Sequence, residues 1–139
     1  MSAITYAGFA NDPSAQGSTS YGRTPNGRLL SAETPTATQI AIPDRHGDVT
    51  ALIDPTTSAL SGSRVFDPFG VVAATTGILP NVGFQGDVTD AQTGGVWMGA
   101  RWMMPSTGTF GSRDSYAGAT PQPGTLNRYS YGLGNPLSM

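Results

Sequence analysis

His46 and Asp48 are the residues whose types and spacing could do chemistry most directly, because they flank Gly47 with an imidazole and a carboxylate. Such a pair can bind a metal ion, or can act as base and orienting acid in a hydrolase. A zinc site, however, needs three or four ligands, and the chain has one histidine and no cysteine. The Gly-x-Ser-x-Gly elbow of a serine hydrolase is also absent. The sequence therefore predicts hydrogen-bonding turn residues here, and no metal or other cofactor.

Arg113 and Asp114 are a second candidate pair, an acid beside a permanent cation. An acid of this kind can be one half of a carboxylate couple that shares a proton and activates water. The other interpretation is an ion pair that closes a strand end, which contributes little to stability when it is exposed. We favour the ion pair, and predict that the chain is not an enzyme.

Trp97 and Trp102 are candidates for surface binding, because a sugar ring can stack on an indole. Aromatic side chains spaced along strands more commonly pack against the next strand and the inner face of the sheet. The sequence favours packing, and a carbohydrate-binding surface stays open as an alternative.

The composition favours strands and turns as the elements that position these side chains. Glycine and proline contribute 19 and 11 of the 139 residues, and the chain has no lysine and a single glutamate, Glu33. Strong helix formers are therefore scarce. The net charge of −2 without a basic run argues against nucleic acid as a partner. The sequence also contains no apolar run long enough to span a membrane, and its N-terminus lacks the pattern of a signal peptide.

A repeated unit of a tight turn, a glycine and a short apolar strand organises the first half of the chain. The unit occurs at Gly27 and Gly70, each time after an aromatic residue, and at Gly47 without one. A period of roughly 20 residues is typical of a stacked β architecture. Asp67-Pro68-Phe69-Gly70 has the composition of a type I turn, and Asn26 and Gly27 accept a positive φ at low cost.

The alternation of apolar and polar residues predicts the strands. In 47–54, Val49, Ala51 and Ile53 alternate with Thr50, Leu52 and Asp54, as in a strand with one buried face. Residues 1–16 are predicted to form a loose arm. Strands are predicted over 18–23, 28–33, 38–42, 47–54, 63–66, 71–75, 95–104 and 127–131.

The C-terminal half contains an ordered series of motifs that closely resembles the core of RHS-repeat (YD-repeat) proteins. These are the β-rich shells of polymorphic toxins, Tc toxin C components and teneurins. Upstream, His46-Gly47-Asp48 resembles the family's His-x-Asp step, whereas Phe66 and the two tryptophans replace residues that are commonly tyrosine. The series is Phe66-Asp67-Pro68-Phe69-Gly70, Gly83-Phe84-Gln85-Gly86, Asp90 with Thr93-Gly94, Ala100-Arg101-Trp102, Pro105-Ser106-Thr107-Gly108-Thr109-Phe110, Arg113-Asp114, Asn127-Arg128-Tyr129-Ser130-Tyr131 and Asn135-Pro136.

The resemblance implies an all-β fold in which short antiparallel hairpins form a curved, spiralling sheet. YD-type repeats would occupy 17–75, and a turn-rich, plug-like core segment 76–139. The implied function is structural: a shell segment that helps to encapsulate or present a C-terminal effector. Its partners would be other RHS shell segments, further copies of the chain or an effector toxin. The implied location is secreted or at the cell surface.

Two other functions stay open beside the structural one. In toxin members of the family, the Arg-Asp pair belongs to an aspartyl autoprotease that cuts after an Asp-Pro-x-Gly motif. That motif should follow Asn135-Pro136, and it and the second acid are missing from this sequence. A remnant autoprotease is therefore the first alternative. A carbohydrate-binding or cell-surface-binding module that uses Trp97 and Trp102 is the second.

Overall fold

The computed structural model describes residues 4–6, 13–77 and 79–137. It is all-β and antiparallel, as predicted, and its strands form two sheets. In the large sheet each strand pairs with its neighbours in sequence, and the small sheet has the spatial order β12-β11-β10-β9. The described residues also contain short 3₁₀ helices at Phe84–Gly86, Pro123–Leu126 and Gly132–Gly134. The strands of the large sheet are β1 (Ile4–Tyr6), β2 (Pro13–Gln16), β3 (Thr19–Arg23), β4 (Leu29–Glu33), β5 (Thr38–Pro43), β6 (Val49–Ile53), β7 (Leu60–Phe66) and β8 (Val72–Gly77), and those of the small sheet are β9 (Val88–Thr89), β10 (Val96–Trp97), β11 (Trp102–Met104) and β12 (Thr109–Phe110).

Three turns with the same hydrogen bonds join β3 to β4, β5 to β6 and β7 to β8. They begin at Thr24, Asp44 and Asp67, and each ends three residues later on a glycine with a φ of 87°, 91° and 91°. The glycine N–H donates to the carbonyl of the first residue at 2.9, 3.2 and 3.1 Å. The side-chain oxygen of that first residue accepts a bond from the backbone N–H that follows the glycine. The sequence repeat is therefore also a structural repeat, and the copy at residue 47 keeps the turn without the aromatic residue.

A β-bulge recurs at the second residue of five strands of the large sheet. The pairing with the preceding strand skips Ser14, Leu30, Thr50, Ser61 and Ala73. Bulges bend a strand and increase its twist, so the repeated bulges curve the sheet. They also explain why the predicted alternation of β6 is wrong. The extra residue at position 50 moves the side chains that follow it to the opposite face, so that the two fully buried positions are 49 and 52.

The inner face of the large sheet, defined here as the face that carries Leu29 and Leu52, is covered by the chain that follows β8. Each fully buried aliphatic side chain of this core stabilises the fold by about 1.5–3 kcal/mol. Arg64 joins the two layers: its guanidinium donates to the carbonyls of Val49, Pro80 and Val82, and burial lowers its pKa to about 10. The core comprises Tyr21, Leu29, Ala32, Ala41, Val49 and Leu52 from the sheet with Val82 and Val88 from the covering chain, and a second cluster contains Phe84, Val96, Met103 and Tyr131.

Three predicted elements differ from the structure. Residues 95–104 form a hairpin of β10 and β11 instead of one strand, because residues 98–101 make a turn closed by the Met98 N–H and the Arg101 carbonyl. Residues 127–131 are mainly turn, with an isolated bridge between Thr109 and Ser130. The predicted loose arm contributes β1 and β2 to the large sheet, and its residues 1–3 and 7–12 lie outside the described residues.

Candidate functional site

His46 and Asp48 lie in the turn between β5 and β6 and in contact with each other. Their side chains are joined by a hydrogen bond of 3.1 Å between Nδ1 and Oδ1, and both are largely buried. Asp44 holds the turn, because its carboxylate accepts from the backbone N–H groups of both residues. Among the described residues no group of three or more His, Cys, Asp or Glu side chains could hold a metal ion. The geometry is that of a hydrogen-bonded turn.

The turn at His46 is bound to two segments that are distant in sequence. Asp48 accepts a hydrogen bond of 2.8 Å from the backbone N–H of Gln85, in the 3₁₀ turn that follows β8. The Nε2 atom of His46 lies 3.1 Å from the carbonyl oxygen of Pro136 and 3.2 Å from Nε2 of Gln85. The Gln85 amide also donates to the hydroxyl of Tyr131. We call these five residues, His46, Asp48, Gln85, Tyr131 and Pro136, the His46 network.

Gln85 is the member of the His46 network that the sequence did not identify as a site residue. It lies inside a motif, and its backbone has a φ of 53°, which is uncommon for a residue other than glycine. A glutamine carries no signal of its own in a sequence. Its role follows from the 3₁₀ turn, which places its backbone N–H on Asp48 and its amide between His46 and Tyr131.

Tyr131 packs its ring in the second core cluster and keeps its hydroxyl in the His46 network. Its ring lies edge-on to those of Phe84 and Phe110, with centroids at 6.1 and 5.8 Å. Burial, with the negative charges of Asp48 and Asp87, raises the pKa of Tyr131 to about 12. The phenol is therefore neutral at physiological pH and acts as a hydrogen-bonding group.

Asp114 is paired with Arg101 and not with its sequence neighbour. The distance from Nη2 of Arg101 to Oδ2 of Asp114 is 2.9 Å, and the Arg101 guanidinium lies 3.7 Å from the ring centroid of Phe110. Arg128 donates to the backbone carbonyl of Asp114. The N–H of Tyr116 and the charges of Arg101 and Arg128 lower the pKa of the Asp114 carboxyl. The carboxylate is an ionised structural acid that binds Arg101 and the Tyr116 N–H, and the backbone carbonyl of the same residue binds Arg128.

Arg113 is exposed and makes no hydrogen bond or ion pair within the part of the chain that the structure describes. The predicted ion pair between Arg113 and Asp114 is therefore wrong, because the carboxylate of Asp114 pairs with Arg101. The contacts of Asp114 come from guanidinium groups and backbone groups.

Trp97 and Trp102 face each other across the β10–β11 hairpin, with ring centroids 5.2 Å apart. The indole N–H of Trp97 donates to the hydroxyl of Tyr6, which joins the small sheet to the first strand of the large sheet. Both indoles are half-buried. The cross-strand packing favoured from the sequence is what the structure contains.

The remaining motif residues are turn residues. The Asn26 side chain accepts from Thr24 in the first repeated turn, and the Asp67 carboxylate accepts from the backbone N–H groups of Phe69 and Val71. Pro68 occupies the second position of that turn. Asn127 accepts from the backbone N–H of Tyr129, whose ring is exposed. Asn135 donates its backbone N–H to the carbonyl of Gly132 and precedes the buried Pro136.

A cavity of about 350 Å³ adjoins β8, the last strand of the large sheet. Its walls include Arg64, Phe66, Val72, Thr89 and Met104. Arg64 directs its guanidinium to backbone carbonyls, so the cavity is mostly apolar. Separately, no helix among the described residues has the length and apolar character needed to cross a membrane.

Comparison with family models and with curated proteins finds no match, whereas several solved Tc toxin complexes contain a similar fold. A crystal structure of TcdB2-TccC3 without the hypervariable C-terminal region has a TM-score of 0.68 at 17% identity, over 92% of this chain and 7% of that chain. TcdB2-TccC3-Cdc42 has a TM-score of 0.63 at 20% identity, over 81% and 6%. A Tc holotoxin pore of Photorhabdus luminescens has 0.63 at 14% identity, over 99% and 9%.

These similarities establish the fold class. The chain has the fold of a segment of Tc toxin chains, and it spans less than a tenth of the length of each of them. At the level of the fold, the finding agrees with the resemblance to RHS-type shells that the sequence motifs indicate.

Proposed function

We propose that this chain is a structural segment of an RHS-type β-shell, in which the large sheet is a piece of the wall and the chain after β8 is a plug against its inner face. The observation that carries the proposal is the eight-stranded meander with repeated turns and bulges, which shares its fold with segments of Tc toxin chains. A strip of strands that adds one hairpin per repeat can be extended without changing its design.

The plug half of the proposal rests on the core. Val82 and Val88, which follow β8, are fully buried against the inner face of the large sheet. Arg64 crosses the same boundary with three hydrogen bonds. The covering chain is therefore an integral layer, and its position next to the wall suits a segment that closes a shell from within.

The assembly half of the proposal rests on the edge strand β8. Within the described residues β8 pairs on one side only, with β7, and all six of its residues are exposed. Its sequence, Val-Ala-Ala-Thr-Thr-Gly, has no charge and no proline to block pairing. An open, uncharged edge recruits another strand. The proposed partner is a strand of another shell segment or of a second copy of the chain.

The proposed role is structural and not catalytic. Asp114, the acid of the Arg-Asp motif, is engaged by Arg101 and by backbone groups, in the manner of an acid that fixes a loop. We further propose that the assembled shell acts outside the cell or at its surface and encloses or presents an effector. The support for this step is the toxin nature of the complexes that share the fold.

Native mass spectrometry over a concentration series tests the assembly half. The edge variant is Ala74→Lys with Thr76→Lys, on the outer face of β8. The matched control is Ile40→Lys with Ile42→Lys, which puts the same charges on the same face of the central strand β5. These two side chains are 45% and 42% exposed, respectively. We expect the unmodified chain and the control to assemble with rising concentration, and the edge variant to stay monomeric.

Two results contradict the proposal. A well-folded monomer of the unmodified chain at every concentration shows that the edge recruits no partner strand of its own kind. An equal loss of assembly in the edge variant and the control shows that association uses the apolar outer face and not the edge. Circular dichroism of each variant separates these results from unfolding.

A further inference from the structure

The imidazole of His46 holds the C-terminal segment against the large sheet. Its Nε2 atom lies 3.1 Å from the carbonyl oxygen of Pro136, which is buried, and its Nδ1 atom lies 3.1 Å from the Asp48 carboxylate. Both ring nitrogens therefore face an acceptor. A neutral imidazole has one N–H and an imidazolium has two, so the two contacts are satisfied together only when His46 is protonated.

The neutral ring has a different set of partners in the same place. The carboxylate of Asp48 is the stronger acceptor, because hydrogen bonds to charged groups are stronger than those to neutral ones. The single N–H therefore stays on Nδ1, and the lone pair on Nε2 then opposes the Pro136 carbonyl. The amide nitrogen of Gln85, 3.2 Å from Nε2, can donate to that lone pair. Rotation of the Gln85 amide, which exchanges its nitrogen and oxygen, suits it to either state of the ring.

The charged and titratable groups around the ring come from five segments of the chain. Asp48 contacts the ring, and Asp44 binds the backbone of the same turn. Tyr131, with its pKa of about 12, keeps its proton throughout the neutral range. Two further arginines donate to nearby carbonyls: Arg28 to that of Asp44, and Arg23 of β3 to that of Gly86. The remaining groups are Arg45 in the turn and Asp87 beside the 3₁₀ turn.

We infer that His46 is a proton-dependent latch for the segment at Pro136. Protonation adds the hydrogen bond from Nε2 to the Pro136 carbonyl. On deprotonation this bond is lost, Nε2 accepts a hydrogen bond from the Gln85 amide instead, and the segment is released. The order of the segment is therefore retained at low pH and lost as pH rises through the titration of His46. Imidazole is the side chain that changes charge closest to neutrality. The inference does not depend on the role of the chain in a shell.

Nuclear magnetic resonance of the full chain tests the latch. The readouts are the Cε1 proton shift of His46, and the amide shift and heteronuclear NOE of Leu137, the residue after Pro136, between about pH 5.5 and about pH 8.5. We expect Leu137 to lose order with rising pH at the midpoint of the His46 titration. A Leu137 amide that stays constant while His46 titrates overturns the inference, and this comparison needs no variant.

His46→Gln gives the second arm of the test. A glutamine cannot change charge, so the Leu137 readouts should become independent of pH. Arg45→Gln is the matched control: it removes an exposed charge from the same turn and should leave the pH dependence in place. The same pH dependence in His46→Gln as in the unmodified chain shows that another group controls the segment and also overturns the inference.

Discussion

Alanine at two glycines separates backbone strain from packing strain in the repeated turns. Gly47 and Gly70 occupy the same position in their turns and share a φ of +91°. A left-handed conformation costs a residue with a Cβ about 1–2 kcal/mol. The surroundings differ: a Cβ on Gly70 would lie 2.8 Å from Cγ of Phe84, whereas a Cβ on Gly47 would meet the Gln85 carbonyl oxygen at an ordinary 3.7 Å. Phe84 is fully buried.

Gly47→Ala should therefore lower the free energy of unfolding by about 1–2 kcal/mol. Gly70→Ala should lower it by about 1–3 kcal/mol more, because overpacking a rigid core site adds to the backbone strain. Urea denaturation followed by tryptophan fluorescence and by circular dichroism measures both. Phe84→Leu removes the ring that the new Cβ would overlap. In a double-mutant cycle it should therefore restore part of the additional unfolding free energy that Gly70→Ala loses. Equal losses in the two alanine variants refute the assignment of the Gly70 turn to the Phe84 core.

Two further predictions concern the pH dependence of stability. The pKa of Tyr131 is raised from 10.0 to about 12 by burial, so its contribution to stability is complete below pH 10 and is lost as pH rises from 10 to about 12; Tyr131→Phe should flatten this alkaline loss in denaturant titrations, and Tyr129→Phe, an exposed tyrosine, should not. The pKa of Asp114 is lowered, first by the Tyr116 N–H and then by Arg101 and Arg128, so its contribution is present above the ordinary 3.8 and is lost as pH falls through the lower folded value. Asp114→Asn and Arg101→Gln should both weaken this acid dependence, whereas Arg113→Gln should leave it unchanged; an effect of Arg113→Gln as large as that of Arg101→Gln contradicts the pairing.

The local chemistry of the sequence was sufficient to predict the repeated turns and most strands of the large sheet. The turn at Asp67-Pro68-Phe69-Gly70 depends on four adjacent residues, and its hydrogen bonds close within five positions. The predicted alternation was wrong where the turn signal in the sequence is a single glycine. Residues 98–101 form a hairpin turn in which Gly99 has a φ of 81°. Without a proline or an Asn-Gly pair, the pattern of 95–104 predicts one continuous strand.

At Asn127 a local hydrogen bond replaced the predicted strand. Its side chain accepts from the backbone N–H of Tyr129, and such local bonds compete with the hydrogen bonds of a sheet. Residues 127–131 therefore turn where their alternation predicts a strand. The prediction of a loose arm at β1 and β2 was wrong for another reason. Short strands without a marked pattern are stabilised by the strands they pair with, and Tyr6 is also held by its hydrogen bond to Trp97.

The sequence by itself determined the fold class, the repeated turns and the identity of His46, Asp48 and Asp114 as polar residues of interest, because each depends on composition or on residues close along the chain. Only the tertiary structure decided their partners. Arg101 and not Arg113 binds Asp114, and His46 meets a carbonyl 90 residues away. The first contact depends on how the chain after β8 folds on itself, and the second on how that chain packs against the large sheet. The pairing of distant segments depends on how whole layers pack, and no local pattern in a single sequence specifies it.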